Sequence, residues 1–556
     1  MFCGIWMAKS KEEKATSLQE MINSAHIPAV SYACVLPNED KTQFTPISIA
    51  VGKKVQSEES AVDGDTRFPA SSLSKIVFTY LVLRLVQEGK IKLNEKLHDV
   101  LKYERFKVNG EYPERAKELT VRHVLSHTTG LPNVEPNSSS PPEFDSKLIL
   151  GEGYSYSGEA ILYLQKVIET KMSKDLGEKV DLEELAKRYV FTPLHMDRST
   201  FLPQPKSDTN IVKVHSELGK PTSINEGNSE LNAANAAGSL LTTAEDFSKF
   251  MVAWLKNMDD PIFQQAFQPT SADDFMTRGK PTCGLGWHIY KNKDEVIAYQ
   301  YGENFNTRSF IAINVNDKKG AVFFTNSING SSIANRLLSS PDLAPIGNMQ
   351  NVFKSLSYSQ SDEPGWQETL AGKIAEEEGK FEEARNAFTE ALKKSPNDKS
   401  KQWRLEWFDK AHQEKKAFTR PLETFVGGYT SPYEEVEIAK KGDSLIYKQF
   451  GREIKLVQIS ETDFVPEKDQ SFKISIKGDQ ISKLSIHGDE YFPFSKQASP
   501  KSQLETAREE TEQYKDSIKK LRESQPGYMK PTESSKEKER KMDIPLDTMP
   551  KPPWKP

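Results

Sequence analysis

A serine and a lysine lie three residues apart at Ser72 and Lys75, within the sequence FPASSLSKIVFTYLVLRLVQEG. Residues at this spacing occupy one face of a helix, so the two side chains would reach a shared site. A nearby amine can take the proton of a serine hydroxyl, which then attacks an acyl carbon. The unpaired N–H groups at the start of a helix would favour the anion that forms there. The spacing therefore predicts a nucleophilic serine assisted by a lysine.

The same Ser-x-x-Lys spacing also occurs at Ser517/Lys520 and Ser535/Lys538, in a polar tail. For an isolated match, a helix cap with a surface lysine is the simpler interpretation. The match at Ser72 differs because the following residues, IVFTYLVLRLV, leave almost no polar face and predict a buried helix. Gly89 then predicts the end of that helix. A lysine buried in such a helix requires a specific role.

Composition bounds the possible functions. A chain of 556 residues is too long for one core and suggests about three domains. With 75 basic and 80 acidic residues, the net charge of −5 gives no indication of a nucleic-acid partner or of an anionic membrane. The three cysteines, Cys3, Cys34 and Cys283, form neither a disulfide framework nor a metal site. We expect no metal, no cofactor and a small-molecule or peptide substrate.

The first residues, MFCGIWMAKSKEEK, place a short apolar run before the lysines, which is the reverse of a secretory signal. No stretch approaches the roughly 18 apolar residues of a membrane span. The prediction is a protein without a membrane span, either cytoplasmic or exported without a cleaved N-terminal signal.

The elements around Ser72 follow the order strands, helices, strands. A predicted hairpin, Val30–Leu36 with Phe44–Val51, precedes the Ser72 helix. Helical patterns follow at Leu119–Pro132 and Gly158–Thr170. In the segment Ala236–Leu255, a glycine-containing turn precedes a predicted helix capped by Thr243. Four later strands are predicted at Leu285–Tyr290, Val296–Tyr301, Arg308–Val315 and Ala321–Asn326. If the hairpin joins these strands in one sheet, the helices form a second lobe and a cleft lies between them.

Six motifs occur in a fixed order: FPASSLSK, LTVRHVLSHTTGLP, YSYSGEAILYLQKVIE, AAGSLLTTAEDFSKF, CGLGWHI and YQYGENFNTRSF. From about Gly4 to Leu356 the chain thereby resembles the serine β-lactamase-related superfamily, of the class C β-lactamase, D-aminopeptidase and esterase type. The resemblance implies an α+β fold with an antiparallel sheet flanked by helices, plus a helical lobe. It also implies an acyl-enzyme mechanism on an ester, a small amide or a D-amino-acid peptide.

The resemblance also implies roles for individual residues. Ser72 matches the acylated serine, Lys75 the family's lysine and Tyr156 the tyrosine of its Tyr-x-Asn motif. An ammonium group beside a buried phenol favours the phenolate, so we expect a lowered pKa for Tyr156 and a general-base role. The backbone N–H groups of Ser72 and Glu303 would form the oxyanion hole.

Two residues depart from the family pattern. Gly158 occupies a position where the family usually has Asn, and Gln300 of Gln300-Tyr301-Gly302 occupies that of a Lys or His. Because Gln300 brings no charge, we expect short uncharged acyl esters to turn over faster than penicillins. These departures also leave open an alternative function, a degenerate hydrolase domain used as a protein- or ligand-binding scaffold.

Simpler interpretations exist for several of these residues. Tyr156, next to Tyr154, could be a packing aromatic. His127, in SHTTG, fits a buried structural histidine better than a general base. Glu303 could be a solvated charge at a strand edge, since only its N–H is implicated.

Behind this domain, Gly365–Asp398 has a helix–turn–helix pattern that resembles one tetratricopeptide repeat, with Lys401–Lys416 as a helix that covers it. Its role is open between a spacer and a peptide-binding groove. Short strands from Phe425 to Phe494, opening with FVGGYTSP, resemble a lipocalin-like β-domain, an antiparallel barrel that forms either an accessory wall or a ligand site. A protein partner could bind through the repeat or through the tail.

These patterns together predict four parts. They are a hydrolase domain at 1–358, a tetratricopeptide-like helical segment at 359–418, a lipocalin-like β-domain at 419–497 and a polar tail at 498–556. In the tail, one helix is predicted from Leu504 to Leu521, followed by disorder after Gln525.

Overall fold

The computed structural model describes residues 10–133, 141–203, 208–222, 233–270, 282–291, 295–304, 306–341, 343, 346–412, 418–430, 435–449, 452–478, 480–485 and 490–496. The N-terminal segment, most of the polar run after Asn133 and the predicted tail helix lie outside these residues. By its internal contacts the chain separates into two compact units, residues 1–374 and 375–556. The four-part division predicted from the sequence stays a prediction.

The first unit alternates strands and helices. In chain order its elements are α1 (Lys11–Ser24), β1 (Ala29–Pro37), β2 (Phe44–Gly52), β3 (Phe68–Pro69), α2 (Ser74–Gln87), α3 (Leu97–Val100), α4 (Glu114–Lys117), α5 (Val121–Leu125), α6 (Gly158–Leu176), α7 (Leu182–Ala186), α8 (Thr192–Leu194), β4 (Val214–His215), β5 (Pro221–Thr222), β6 (Leu241–Thr242), α9 (Ala244–Asn257), α10 (Pro261–Gln264), β7 (Thr282–Cys283), β8 (His288–Lys291), β9 (Val296–Asn304), β10 (Thr307–Asn314), β11 (Lys319–Thr325), α11 (Ala334–Ser339) and α12 (Gln350–Ser355).

Seven of these strands form one antiparallel sheet in the order β2-β1-β11-β10-β9-β8-β7. Tyr32 of β1 lies opposite Phe323 of β11, which in turn lies opposite Phe310 of β10. The early hairpin therefore joins the later strands in one sheet. The mixed helical and antiparallel architecture expected from the sequence is confirmed.

The sheet separates two apolar cores because successive residues of a strand point to opposite faces. Tyr32, Phe310 and Phe323 face a core that contains Leu18 and Ile22 of α1. Their neighbours on the other face pack with α2, α9 and the other helices of the lobe. The first unit is thus three layered, with the sheet in the middle.

The helix predicted after Ser72 is present as α2, and its residues from Ser74 to Leu83 are all buried. A 3-10 turn, Ser71–Leu73, precedes it. Gly89 follows the helix with a left-handed backbone at φ 69°, a conformation that glycine adopts without strain. Ser72 therefore lies in the turn that leads into α2.

The helix predicted at Leu119–Pro132 is wrong in its length. Only α5 forms there, capped by the Thr120 side chain, which accepts the N–H of His123. Two residues beyond α5, His127 takes a left-handed backbone at φ 53°, and Gly130 does so at φ 77°. These conformations are incompatible with a continuing helix.

The second unit begins within α13 (Trp366–Glu377), and it contains α14 (Phe381–Lys394) and α15 (Lys399–His412). Phe388 of α14 packs on Phe408 of α15, with ring centroids 5.2 Å apart. Ala384 completes this small apolar cluster. The resemblance of these helices to a tetratricopeptide repeat stays a prediction.

A closed antiparallel barrel completes the second unit. Its strands are β12 (Gly427–Thr430), β13 (Glu435–Lys441), β14 (Ser444–Gln449), β15 (Arg452–Gln458), β16 (Asp463–Pro466), β17 (Phe472–Lys477), β18 (Gln480–Ser485) and β19 (Glu490–Lys496). The short strands predicted between Phe425 and Phe494 are present. Tyr429 of β12 pairs with Lys496 of β19 and closes the barrel. The lipocalin-like resemblance stays a prediction.

In the part of the chain that the structure describes, no helix has both the length and the apolar character needed to cross a bilayer.

Candidate active site

The turn that carries Ser72 is tied to the sheet by hydroxyl groups. The Ser309 hydroxyl of β10 donates to the carbonyl of Ala70 at 2.9 Å. The Ser71 and Thr307 hydroxyls are also 2.9 Å apart. Ser71 has a left-handed backbone at φ 51°, which is uncommon for serine. These contacts fix the Ser72 turn against the hairpin of β9 and β10.

Gly302 of β9 allows this close approach. A Cβ atom at residue 302 would lie 2.3 Å from Ser309 Oγ and 2.5 Å from the Ala70 carbonyl oxygen. Among the described strands, β8 pairs with β9 only at Val296–Tyr299, so the rest of that edge of β9 has no strand beside it. Alternate N–H groups of a strand point to each of its edges. The backbone of β9 at Gly302 thus lies beside the Ser72 turn.

Lys75 lies at the centre of the site. Its Nζ is 3.1 Å from Ser72 Oγ and donates to the Ala237 carbonyl at 2.6 Å. The residue is only 2% exposed. Burial lowers its pKa to about 7, because removal from water disfavours the charged amine. A large fraction of Lys75 is therefore neutral near pH 7.

Tyr156 lies beside the same amine, in the loop before α6. The Nζ of Lys75 is 4.8 Å from the centroid of the Tyr156 ring. The expected lowering of the Tyr156 pKa is wrong: burial raises this pKa, and a hydrogen bond with Ser72 offsets only part of the rise. Lys75 lies over the face of the ring, and the loss of hydration of the phenolate has the larger effect on the Tyr156 pKa. Tyr156 is therefore a protonated phenol at neutral pH.

Two buried histidines flank Tyr156. The ring of His127 is 4.5 Å from that of Tyr156, and the ring of His288 is 6.1 Å away. Burial lowers the pKa of His288 to about 4 and that of His127 well below its ordinary value. His127 Nδ1 accepts the N–H of Ser157, and His288 Nε2 bonds to the Tyr154 hydroxyl at 2.7 Å. Both rings are neutral at pH 7, which agrees with a structural role for His127.

His288 was not predicted as a site residue, although it lies in the CGLGWHI motif. No spacing connects it to Tyr154, which is 134 residues earlier in the chain. Only the fold brings the two side chains together.

Gln300 is buried in β9 at 1% exposure. Its Oε1 accepts the N–H of Tyr301 at 3.0 Å, and the side chain also interacts with His288, whose pKa it raises against the larger effect of burial. Gln300 thus interacts with His288, one of the two histidines beside Tyr156, and contributes no charge to the site.

The side chain of Glu303 points away from Ser72. Its carboxylate accepts the Tyr358 hydroxyl at 2.5 Å and lies 3.6 Å from the guanidinium of Arg308. Only the backbone of Glu303 can take part in the site.

Gly158 is the first residue of α6. Its N–H lies 3.1 Å from both the backbone and the side-chain oxygen of Asn133. A Cβ at residue 158 would lie 2.6 Å from the Asn133 carbonyl oxygen. The asparagine expected from the family pattern does not fit at this position. Asn133 was not predicted as a site residue, because its contact with Gly158 joins positions 25 residues apart in the chain.

The structure therefore brings most of the predicted site together. Ser72, Lys75 and Tyr156 are in contact. Gly302 and the backbone of Glu303 adjoin the Ser72 turn, and Gly158 follows Tyr156 by two residues. Gln300 interacts with His288. Within the described ranges, His, Cys, Asp and Glu side chains do not cluster in groups of three or more that could hold a metal ion.

Comparison with known proteins places this geometry in a family. The family model described as Beta-lactamase matches residues 25–336, which is more than half of the chain. Protein flp from Staphylococcus aureus (strain NCTC 8325 / PS 47) is 21% identical over 341 residues, covering 57% of this chain and 63% of that protein. The chain therefore spans less than two thirds of the length of this relative.

Two solved structures are also similar. The octameric penicillin-binding protein homologue from Pyrococcus abyssi is 15% identical with a TM-score of 0.47, covering 88% of this chain and all of that one. The D-alanine carboxypeptidase AmpC from Burkholderia cenocepacia is 16% identical with a TM-score of 0.45, covering 57% of this chain and 95% of that one. With TM-scores below 0.5 they add no argument to the family match. On that match, the chain belongs to the beta-lactamase family, whose members are typically serine hydrolases.

Proposed function

We propose that the chain is a serine hydrolase that forms a covalent acyl-enzyme on Ser72. The observation that supports this most strongly is the position of Lys75, whose Nζ lies 3.1 Å from Ser72 Oγ and whose pKa is lowered to about 7. A neutral amine at this distance can accept the serine proton.

In the proposed reaction, the Ser72 proton moves to Lys75 Nζ while Oγ bonds to the substrate's carbonyl carbon. The carbonyl oxygen becomes an oxyanion, which accepts hydrogen bonds from the N–H groups of Ser72 and Glu303. When the tetrahedral intermediate collapses, the leaving group departs with a proton that Lys75 returns, directly or through the Tyr156 hydroxyl. Water then attacks the acyl-enzyme and gives one proton to Lys75. When this second tetrahedral intermediate collapses, Ser72 Oγ leaves and takes that proton from Lys75, so that the acid is released and both residues are restored.

The substrate proposed is an ester, a small amide or a D-amino-acid peptide. Gln300 is buried and uncharged, so the site lacks at that position a cation that would pair with a substrate carboxylate. We expect short uncharged acyl esters to be hydrolysed faster than penicillins. Faster hydrolysis of penicillins, compared by kcat/KM, would reject this substrate assignment.

The direct test of the mechanism is labelling with a fluorophosphonate, a probe that phosphonylates activated serines. The wild-type chain should be labelled at Ser72, as identified by peptide mass spectrometry, and Ser72→Ala should not. A folded wild-type chain that stays unlabelled at Ser72 contradicts the proposal.

A binding scaffold is the second candidate function, and one observation in the second unit favours it. A groove of about 850 Å³ lies between the end of α15 and one side of the barrel. Phe381 lines this groove and is 47% exposed, unusually high for a large apolar side chain. Under this proposal, a protein partner would bind there and Ser72 would remain unlabelled.

A further inference from the structure

The groove between the end of α15 and one side of the barrel is lined by apolar side chains from several elements. Phe381 of α14 lies at its edge, where its ring contacts that of His412 at a centroid distance of 4.3 Å and still remains 47% exposed. Phe418 and Leu422, which precede the barrel, and Leu456 of β15 also line it. Charged side chains of both signs line the rest of the groove. An apolar surface with a polar rim is typical of a docking site.

The chain leaves the barrel close to this groove. Lys496, the last described residue, pairs with Tyr429 of β12. The Tyr429 hydroxyl donates to the Phe425 carbonyl at 2.9 Å. Phe425 ends the 3-10 turn Leu422–Phe425, and Leu422 at the start of that turn lines the groove. Residues 497–503 span about 23 Å when extended, which is enough to bring residue 504 to the groove.

The tail contains a segment whose sequence fits an apolar groove. The helix predicted at 504–521 carries its apolar residues at alternating spacings of three and four, at Leu504, Ala507, Tyr514, Ile518 and Leu521. On a helix these positions form one stripe, with charged residues on the opposite face. A single helix gains most of its stability from packing such a stripe against another surface. A helix laid in an apolar groove is a common way to bury it.

We propose that the tail helix, residues 504–521, docks through its apolar stripe in the groove of its own chain. A short linker gives the helix an effective concentration on the order of mM at the groove, which favours the same chain over a second copy. This contact does not involve Ser72, so the inference goes beyond the hydrolase function. A protein partner then binds the groove only when the tail leaves it.

Site-specific photo-crosslinking in the full chain tests this docking. The variant Tyr514→p-benzoylphenylalanine places in the apolar stripe an aromatic probe that, under ultraviolet light, inserts into nearby C–H bonds. Peptide mass spectrometry should locate its cross-links at groove residues such as Phe381, Leu422 and Leu456. The same probe at Gln513, on the opposite face of the predicted helix, should give roughly 5-fold fewer of these cross-links.

A substitution in the groove tests the other side of the contact. Phe381→Asp, combined with the Tyr514 probe, places a carboxylate where the stripe would pack and should lower the cross-link yield roughly 5-fold. Phe381 is half exposed, so the unit should stay folded, which circular dichroism checks. Val108→Asp is the matched control, because Val108 is 49% exposed in the first unit and should leave the yield unchanged.

Mixing isotope-labelled and unlabelled chains identifies the occupant of the groove. Cross-links within one isotopic form support docking in the same chain, whereas cross-links between the two forms assign the groove to a second copy and overturn the proposal. A Tyr514 probe that never reaches the groove, or that cross-links equally in folded Phe381→Asp, also overturns it and leaves the groove to another partner. Ser72 labelling should be equal in all these variants, so failure of this inference is distinct from failure of the hydrolase proposal.

Discussion

At the scale of single residues, the site depends on burial more than on charge pairing. Lys75 is surrounded by neutral groups: Tyr156, His127, His288 and the Ala237 carbonyl. In this environment the amine loses its proton near neutral pH, while the phenol keeps its own. Lys75, rather than a Tyr156 phenolate, is therefore the base available at pH 7.

The pH dependence of the rate follows from the pKa of Lys75. Below pH 7 the amine is protonated and cannot accept the Ser72 proton, so kcat/KM should rise through about pH 7 and then level off. Lys75→Met should lower kcat/KM by about 10²–10⁴-fold. Ester hydrolysis measured from pH 5 to 9 checks this, and a flat profile in the wild type would contradict it.

The same lysine should reduce stability in a pH-dependent way. Its pKa is about 7 in the folded chain against 10.5 ordinarily, so the unfolded chain binds the proton more tightly. The stabilising contribution is fully present above about pH 10.5 and is lost as the pH falls through about 7, a difference of about 5 kcal/mol.

Lys75→Met removes this titration, so its stability relative to wild type should be greatest near pH 6.5 and should shrink toward pH 9.5. Urea unfolding at both values measures the difference. Loss of the contact with Ala237 affects both values equally, so a difference that does not change with pH argues against a buried, neutralised lysine.

At the scale of elements, the Ser72 turn depends on its contact with β9. Gly302→Ala would place a methyl group 2.5 Å from the Ala70 carbonyl and push the turn away from the strand. We expect a loss of about 1–3 kcal/mol in stability and slower labelling of Ser72. Gly64→Ala is the matched control, since its methyl group meets only a flexible Glu245 oxygen at 3.3 Å. Equal labelling rates in the two variants would show that the turn does not need this contact.

The predicted helices and strands are correct where hydrophobic periodicity continues over many consecutive residues. The apolar run of α2, the Thr243 cap of α9 and the strands β9 to β11 could be identified from hydrophobic periodicity. The early end of α5 could not, because it depends on the backbone at His127 rather than on composition.

Site prediction had a similar limit. The contacts among Ser72, Lys75 and Tyr156 could be expected because spacing and family motifs mark these residues, while their catalytic roles stay a proposal. Asn133 and His288 act through contacts between distant segments, which no short motif contains. The pKa of Tyr156 was predicted in the wrong direction because burial, unlike the neighbouring lysine, cannot be quantified from sequence.

At the scale of the whole molecule, the second unit has its own polar anchor. Glu376 of α13 is 2% exposed and accepts the Gln470 amide at 2.6 Å and the Asp469 N–H at 3.3 Å. His412 of α15 lies 3.1 Å from the same carboxylate. These contacts join two helices to a barrel loop.

Glu376→Ala should destabilise the second unit by about 2–4 kcal/mol, because it leaves buried donors unpaired. Glu378→Ala, which removes only an exposed ion pair with Lys380, should cost under about 1 kcal/mol. Differential scanning calorimetry measures both effects. Equal effects of the two variants would contradict the anchoring role, and Ser72 labelling of the folded variants should not change.

The central claim concerns Ser72, and covalent labelling tests it most directly. The fluorophosphonate should modify Ser72 in the folded wild-type chain, with a rate that rises through about pH 7 as Lys75 becomes neutral. Ser72→Ala should abolish the modification, and Lys75→Met should slow it greatly. A folded wild-type chain in which Ser72 remains unmodified across this pH range would contradict the acyl-enzyme account.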